Sequence, residues 1–279
     1  MKYFCVTDVH SFFNEMIDAL HSNGFDESNP NHTLIICGDI FDRGTQSRQM
    51  FDYLSHLERF IFVRGNHEDL LQECINDLST ENFSTLQYYH FQNRTINTLA
   101  DLIGMTIYDL VFPEVVTMAC HEGRKVLDWI DKKSINYFEV GDFIFVHGWI
   151  PIIEIRQNKM SGLATDCYFN PNWREATNDE WARARWLNGM EMWYNNFVEK
   201  GKTIVCGHWH TSFGNGTIAQ GGPEFPRKGE EVNKDLFRPF IRKNIIALDG
   251  CIPLTKMVNC LVVEIDDNGK TVWSNMELK

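Results

Sequence analysis

An α/β fold with a mixed sheet, or two packed sheets, is predicted by three features of this 279-residue sequence. Three times near the N-terminus a short apolar run gives way to a polar loop and then to apolar residues at helical spacing, the mark of repeated strand-loop-helix units. Two further apolar runs, Phe143-Ile144-Phe145-Val146 and Thr203-Ile204-Val205-Cys206, end in loops that carry histidine. The last two runs are separated by Asp266-Asp267-Asn268-Gly269, so they read as an antiparallel hairpin, which a purely parallel sheet lacks.

The first strand, Tyr3 to Thr7, ends at Asp8-Val9-His10, and Phe12, Phe13, Met16, Ile17 and Leu20 then follow at helical spacing. Alternation over an extended tripeptide would turn Asp8 and His10 to the same side, as two ligands of one ion require. Asn23-Gly24 stops the helix, and the strand Thr33 to Cys37 runs into Gly38-Asp39-Ile40-Phe41-Asp42-Arg43-Gly44. That heptad sets acceptor-only carboxylates beside a rigid five-donor fork, a combination able to hold a metal and a phosphate together. A helix with Met50, Phe51, Leu54 and Leu57 leads to the strand Phe60 to Val63, which closes in Arg64-Gly65-Asn66-His67-Glu68. Metal-competent residues thus recur at strand carboxyl ends, where open α/β sheets place their ligands. Residues 69 to 142 read as helical cover in which His90 and His121 stand alone and are left out of the site. The strand at 143 ends in His147-Gly148.

From Pro151 to Asn178 the chain reads as loop, and a helix carrying Trp186, Leu187, Met190, Trp193 and Phe197 is expected to bury that stripe as core. Arg183 and Arg185 lie on different faces of it and read as solvated charges. The strand ending at Cys206 delivers Gly207-His208-Trp209-His210, with both imidazoles expected on one side of an extended loop. Residues 214 to 231 form a glycine-rich loop able to edge the site, and Ile245 to Leu248 is the next strand.

The formal charge of -12 repels a phosphate backbone at long range and argues against a nucleic-acid partner. Eight cysteines without a Cys-x-x-Cys pair read as free thiols of a reducing compartment, and no apolar run is long enough for a membrane span. The expectation is a cytoplasmic protein with no membrane partner, one domain over 1–279 with a helical cap-like insertion at about 69–142.

Asp8, His10, Asp39, Asn66, His147, His208 and His210 exceed the ligand set of one tetrahedral ion and suit two ions sharing a carboxylate. In order and spacing, Asp8-x-His10, Gly38-Asp39-x-x-Asp42-Arg43-Gly44, Arg64-Gly65-Asn66-His67-Glu68, His147 and Gly207-His208-x-His210 resemble the calcineurin-like metallophosphoesterases. The intact Asp-Arg-Gly and Arg-Gly-Asn-His-Glu forms resemble most the serine/threonine phosphoprotein phosphatase branch, its bacterial and phage members included. The resemblance implies a four-layer fold of two packed mixed sheets flanked by helices. It implies that Asp8, His10 and His210 hold one divalent ion, that Asn66, His147 and His208 hold the other, and that Asp39 bridges them; manganese is the expected ion in vitro, iron or zinc the alternatives. Arg43 would bind phosphate, and His67, oriented by Asp42, would protonate the leaving oxygen after in-line attack by a metal-bridging hydroxide. Arg64 is left structural. The family's glycine after Asp-x-His is Ser11 here, and Gly-His-x-His is more typical of metallophosphoesterases at large than of eukaryotic protein phosphatases. The expected activity is phosphomonoester hydrolysis, with a phosphoprotein as leading substrate and a dinucleoside polyphosphate or other small phosphoester as the alternative. A binding module that had lost the chemistry would lack a ligand or His67, and none is missing.

Overall fold

The computed structural model describes residues 1–80, 86–159, 162–227 and 229–276. Positions 81–85 of the expected insertion, 160–161 of the expected loop and 228 of the glycine-rich loop lie outside the described residues. In chain order the elements begin with β1 (Lys2–Val6), α1 (Phe13–Ser22), β2 (His32–Cys37), α2 (Ser47–His56), β3 (Phe60–Val63) and α3 (Asn66–Thr80). Next come α4 (Tyr88–Gln92), α5 (Thr95–Leu102), α6 (Pro113–Lys133), β4 (Ser134–Ile135), β5 (Phe138–Val140) and β6 (Phe143–Phe145). The rest are β7 (Ile153–Lys159), β8 (Gly162–Tyr168), α7 (Asn178–Ala184), α8 (Gly189–Tyr194), β9 (Thr203–Cys206), β10 (Phe240–Arg242), β11 (Ile245–Ala247), α9 (Ile252–Thr255), β12 (Leu261–Ile265) and β13 (Thr271–Ser274).

Two mixed sheets result. One has the order β13-β12-β1-β2-β3-β4, the other β10-β11-β9-β6-β5. Strands β1, β2, β3 and β4 are parallel, and β12 and β13 close that sheet as the expected antiparallel hairpin. In the second sheet β6, β9 and β11 are parallel, with antiparallel β5 and β10 at the edges. Because alternate strand residues face opposite ways, Cys5, Ile35, Cys37 and Val63 pack against Phe145, Val205 and Ile246 between the sheets. Their neighbours Phe4, Val6, Leu34, Ile36 and Phe62 face outward and are covered by α1, α2, α3, α5 and α6. On the other side Ile144, Ile204 and Ala247 meet Trp173, Trp181 and Met190. The layering is therefore helix, sheet, sheet, helix, and burial on both faces explains why the strands read as unbroken apolar runs.

Three expectations along the chain are corrected. The stretch from Pro151 to Asn178 is not all loop: β7 and β8 pair as an antiparallel hairpin from Ile153↔Tyr168 to Lys159↔Gly162, outside both main sheets. Its polar composition hides the strand pattern. The single helix expected after Asn178 is two, because Asn188 starts α8 afresh by accepting from the N–H groups of Met190 and Glu191. Part of the glycine-rich loop is ordered as a wide helical turn, Phe213–Ile218.

Candidate active site

The loops after β1, β2, β3, β6 and β9 meet at one end of the two sheets, joined by the Asp8 N–H to the Gly38 carbonyl (3.2 Å) and the Gly207 N–H to the His147 carbonyl (2.7 Å). Their backbone is not the extended chain that the sequence suggests. Asp8, His10, Ser11, Asp39, Asp42, Arg43 and His208 all take left-handed φ, between +47° and +73°. Such conformations cost about 1–3 kcal/mol each for non-glycine residues and gather where function requires them. Glycine lets the loops close: a Cβ on Gly38, itself at φ +80°, would strike the His147 ring and the Gly65 backbone, and one on Gly207 would strike Thr7 and Asp8.

Asp39 sits at the centre. Its Oδ2 is 3.8 Å from Nε2 of both His10 and His67, its Oδ1 is 3.3 Å from Nε2 of His147, and the His67 N–H donates to Oδ1 at 3.0 Å. Donor atoms of Asp39, His10 and His67 lie within 4.8 Å of one another, as do those of Asp39, His147 and His208. The Asn66 Oδ1 is 2.8 Å from His147 Nε2. His10 and His147 each turn Nδ1 to a backbone carbonyl, Phe41 at 2.9 Å and Cys37 at 2.8 Å, leaving Nε2 for the centre. Burial pushes His10 and His147 down and His208 down to about 3, so all three imidazoles are neutral donors at pH 7. Burial alone would push Asp39 up, but the surrounding His147, His67, His10 and His208 hold it well below the usual carboxylate range.

Asp8 and His210 are less tightly joined than the sequence suggests. Asp8 accepts from the Thr7 hydroxyl and from the His208 N–H at 3.0 Å. The His210 ring does not share the direction of His208: its Nδ1 faces Glu224 at 3.4 Å and its Nε2 faces Asp249 at 3.7 Å. Burial would lower His210, yet Asp249, Cys251 and Glu224 outweigh it and push the imidazole up to about 11. Asp249 is buried, and burial together with the charges of Asp249 and Asp39 raises Asp8 well above its ordinary value. Asp249 was missed in the sequence, although Asp249-Gly250 follows the apolar run Ile245 to Leu248 in the same way that Gly38-Asp39 follows β2.

His67, Asp42 and Arg43 form a connected unit. His67 Nδ1 donates to Asp42 Oδ2 at 2.7 Å, and Arg43 Nη2 lies 3.4 Å from His67 Nε2. Asp42 also accepts from the hydroxyls of Thr95 (2.7 Å) and Thr98 (2.9 Å), so the α5 segment, read as mere cover, orients it. The buried Glu68 carboxylate accepts from the N–H groups of Asp39, Ile40 and Gly65 at 3.0, 2.9 and 2.7 Å, tying the β2 and β3 loops together. Arg185 is not a solvated charge. It is buried and donates to Asp69 at 2.8 Å, whereas Arg183 is exposed. Arg64 donates to Asp69 and Asp131. His90, also buried, faces Asp77 at 3.3 Å, apart from the site.

The donor set fits a pair of divalent ions. The neutral imidazoles of His10, His147 and His208 and the ionised Asp39 carboxylate within reach of both histidine groups are their ligand chemistry, and the mutual repulsion of Asp8, Asp39 and Asp249 is what a cation would relieve. Two mixed sheets with such a centre at their strand ends, beside an Asp-oriented imidazole and a guanidinium, define a metal-dependent phosphoric ester hydrolase. A family model for the calcineurin-like phosphoesterases matches residues 1–244, and the chain belongs to that family. A symmetrical bis(5'-nucleosyl)-tetraphosphatase of Xylella fastidiosa is 24% identical over 239 residues, covering 76% of this chain and 79% of that protein. Among solved structures, a protein-tyrosine phosphatase of a Shewanella species aligns over 94% of this chain and 75% of its own, with TM-score 0.47 and 14% identity. A Saccharomyces cerevisiae serine/threonine phosphatase aligns over 100% of this chain and 81% of its own, with TM-score 0.44 and 13% identity.

Proposed function

We propose that residues 1–279 act as one catalytic unit that hydrolyses a phosphoester, with His67 as the acid that protonates the leaving oxygen. The 2.7 Å contact of His67 Nδ1 with Asp42 carries this reading, because it holds the ring with Nε2 toward Arg43 and Asp39. Asp8, His10 and His210 would hold one divalent ion and Asn66, His147 and His208 the other, with Asp39 shared. His210 would give one ring nitrogen to its ion and keep Asp249 or Glu224 on the other. When bound, such a pair supplies the Lewis acidity that activates water at neutral pH and offsets phosphoryl charge. Arg43 presents its fork to two phosphoryl oxygens, and Asp42, fixed by Thr95 and Thr98, accepts the Nδ1–H of His67, so that the protonated ring carries its second proton, on Nε2, outward.

Two substrate readings rest on separate observations. The intact Asp42-Arg43-Gly44 favours phosphoserine or phosphothreonine in a protein. The likeness to named tetraphosphatases favours a dinucleoside polyphosphate, and we take this as the working reading because it extends over 76% of the chain. Eight free cysteines fit a cytoplasmic setting, and among the described residues no helix is long and apolar enough to cross a membrane. The test is a panel of phosphopeptides, diadenosine tetraphosphate and bis-p-nitrophenyl phosphate after manganese reconstitution. Turnover of diadenosine tetraphosphate above that of the phosphopeptides, with little diester cleavage, is expected; a preference for phosphopeptides would favour the protein-phosphatase reading, and a preference for the diester would overturn the assignment.

A further inference from the structure

Three exposed large aromatic side chains stand around the histidines of Gly207 to His210. Trp186 is 52% exposed and meets the His208 ring edge-on at 5.6 Å, and Trp209, 37% exposed, meets it at 6.0 Å. Phe225, 42% exposed, stands 5.3 Å from His210. The sequence pattern assigns Trp186 to a buried stripe, but the break between α7 and α8 turns it out beside the centre. Its position is fixed: the preceding Arg185 is buried on Asp69, and the following turn is capped by Asn188. Trp209 rests on Phe213 at 6.3 Å. The indole N–H groups of Trp149, Trp173 and Trp193 are spent on Phe197, Glu199 and Lys243. Among the described residues no hydrogen bond engages those of Trp186 or Trp209.

Aromatic faces held in water at the mouth of a polar site are suited to a planar ring, on which stacking needs no sequence-specific hydrogen bonds. We propose that Trp186 and Trp209 beside His208, with Phe225 beside His210, form a rim that stacks on the base of a nucleoside phosphate whose phosphate chain lies at the metal centre. The proposal rests on the hydrolase reading above and names its substrate class. A phosphoserine side chain brings no ring to this rim. The charge of -12 repels a long polyanion, whereas a short one is held locally by Arg43 and the centre.

The test compares kcat/KM for diadenosine tetraphosphate, inorganic tripolyphosphate and p-nitrophenyl phosphate in the manganese-loaded full chain and in Trp186→Ala, Trp209→Ala and Trp186→Phe. Stacking of one base is worth about 5- to 150-fold on alanine substitution. Each alanine variant should therefore lower the ratio of tetraphosphate to tripolyphosphate by that order, and Trp186→Phe should restore most of it. Equal losses on both substrates would make the tryptophans structural and overturn the proposal. A loss confined to p-nitrophenyl phosphate would overturn the nucleobase in favour of an aryl ring. Calorimetric titration of ADP against inorganic diphosphate, with and without manganese, separates the two readings. Tighter ADP binding that Trp186→Ala abolishes supports the rim even if no substrate turns over, and equal affinity for the two ligands contradicts it even if phosphopeptides are hydrolysed.

Discussion

In the proposed reaction His67 is the residue on which the chemistry turns. Burial pulls its imidazole toward neutrality, but Asp39 and Asp42 outweigh burial and its pKa stands above the ordinary value. The proton is therefore present at low pH and lost as pH rises through that raised pKa, so turnover of a substrate with a basic leaving oxygen should be level and then fall. His67→Asn should abolish that fall and depress phosphoserine turnover by about 10²- to 10⁴-fold, the usual worth of a general acid, while sparing p-nitrophenyl phosphate, whose leaving group needs no proton. Equal losses on the two substrates, with chemistry limiting both, would remove His67 from that role. Arg43→Ala should keep both metals and lose affinity for inorganic phosphate, read as a raised inhibition constant; an unchanged constant would leave Arg43 a structural partner of its neighbours.

The strand ends supply the proposed ligands, and the loops and α5 hold them. Thr95→Val removes one hydroxyl from Asp42 and should cost about 1 kcal/mol of stability in urea unfolding. It should also shift leaving-group sensitivity in the same direction as His67→Asn, more weakly. Glu68→Ala leaves three buried N–H groups unpaired and should cost about 3 kcal/mol or more. These elements mark how far the sequence could be read. Apolar runs ending at Asp8, Asp39, Asn66, His147 and His208 were legible because both faces of each strand are buried and the polar tip interrupts the pattern. The roles of Thr95, Thr98, Asp249 and Arg185 were not, since each depends on a partner far along the chain: Asp69 lies 116 residues from Arg185. The left-handed turns were also hidden, because Asp8, His10 and His208 have no intrinsic preference strong enough to announce them and are held there by tertiary contacts such as the His208 N–H to Asp8.

In the whole molecule the two sheets bring together proposed ligands from distant parts of the chain: Asp8 and Asp39 come from one sheet, His147 and His208 from the other. Metal binding should then couple the halves. Chelation is expected to abolish activity and lower the thermal midpoint, and manganese to restore both; a midpoint indifferent to chelation would mean that the ions do not bridge the sheets. That coupling passes through Asp39, the carboxylate within reach of both histidine groups. The decisive measurement is the metal content of purified Asp39→Ala after reconstitution, by mass spectrometry, beside the native chain and His10→Ala. About two equivalents are expected in the native protein, about one in His10→Ala and close to none in Asp39→Ala. Two full equivalents retained by Asp39→Ala would contradict a shared dinuclear centre.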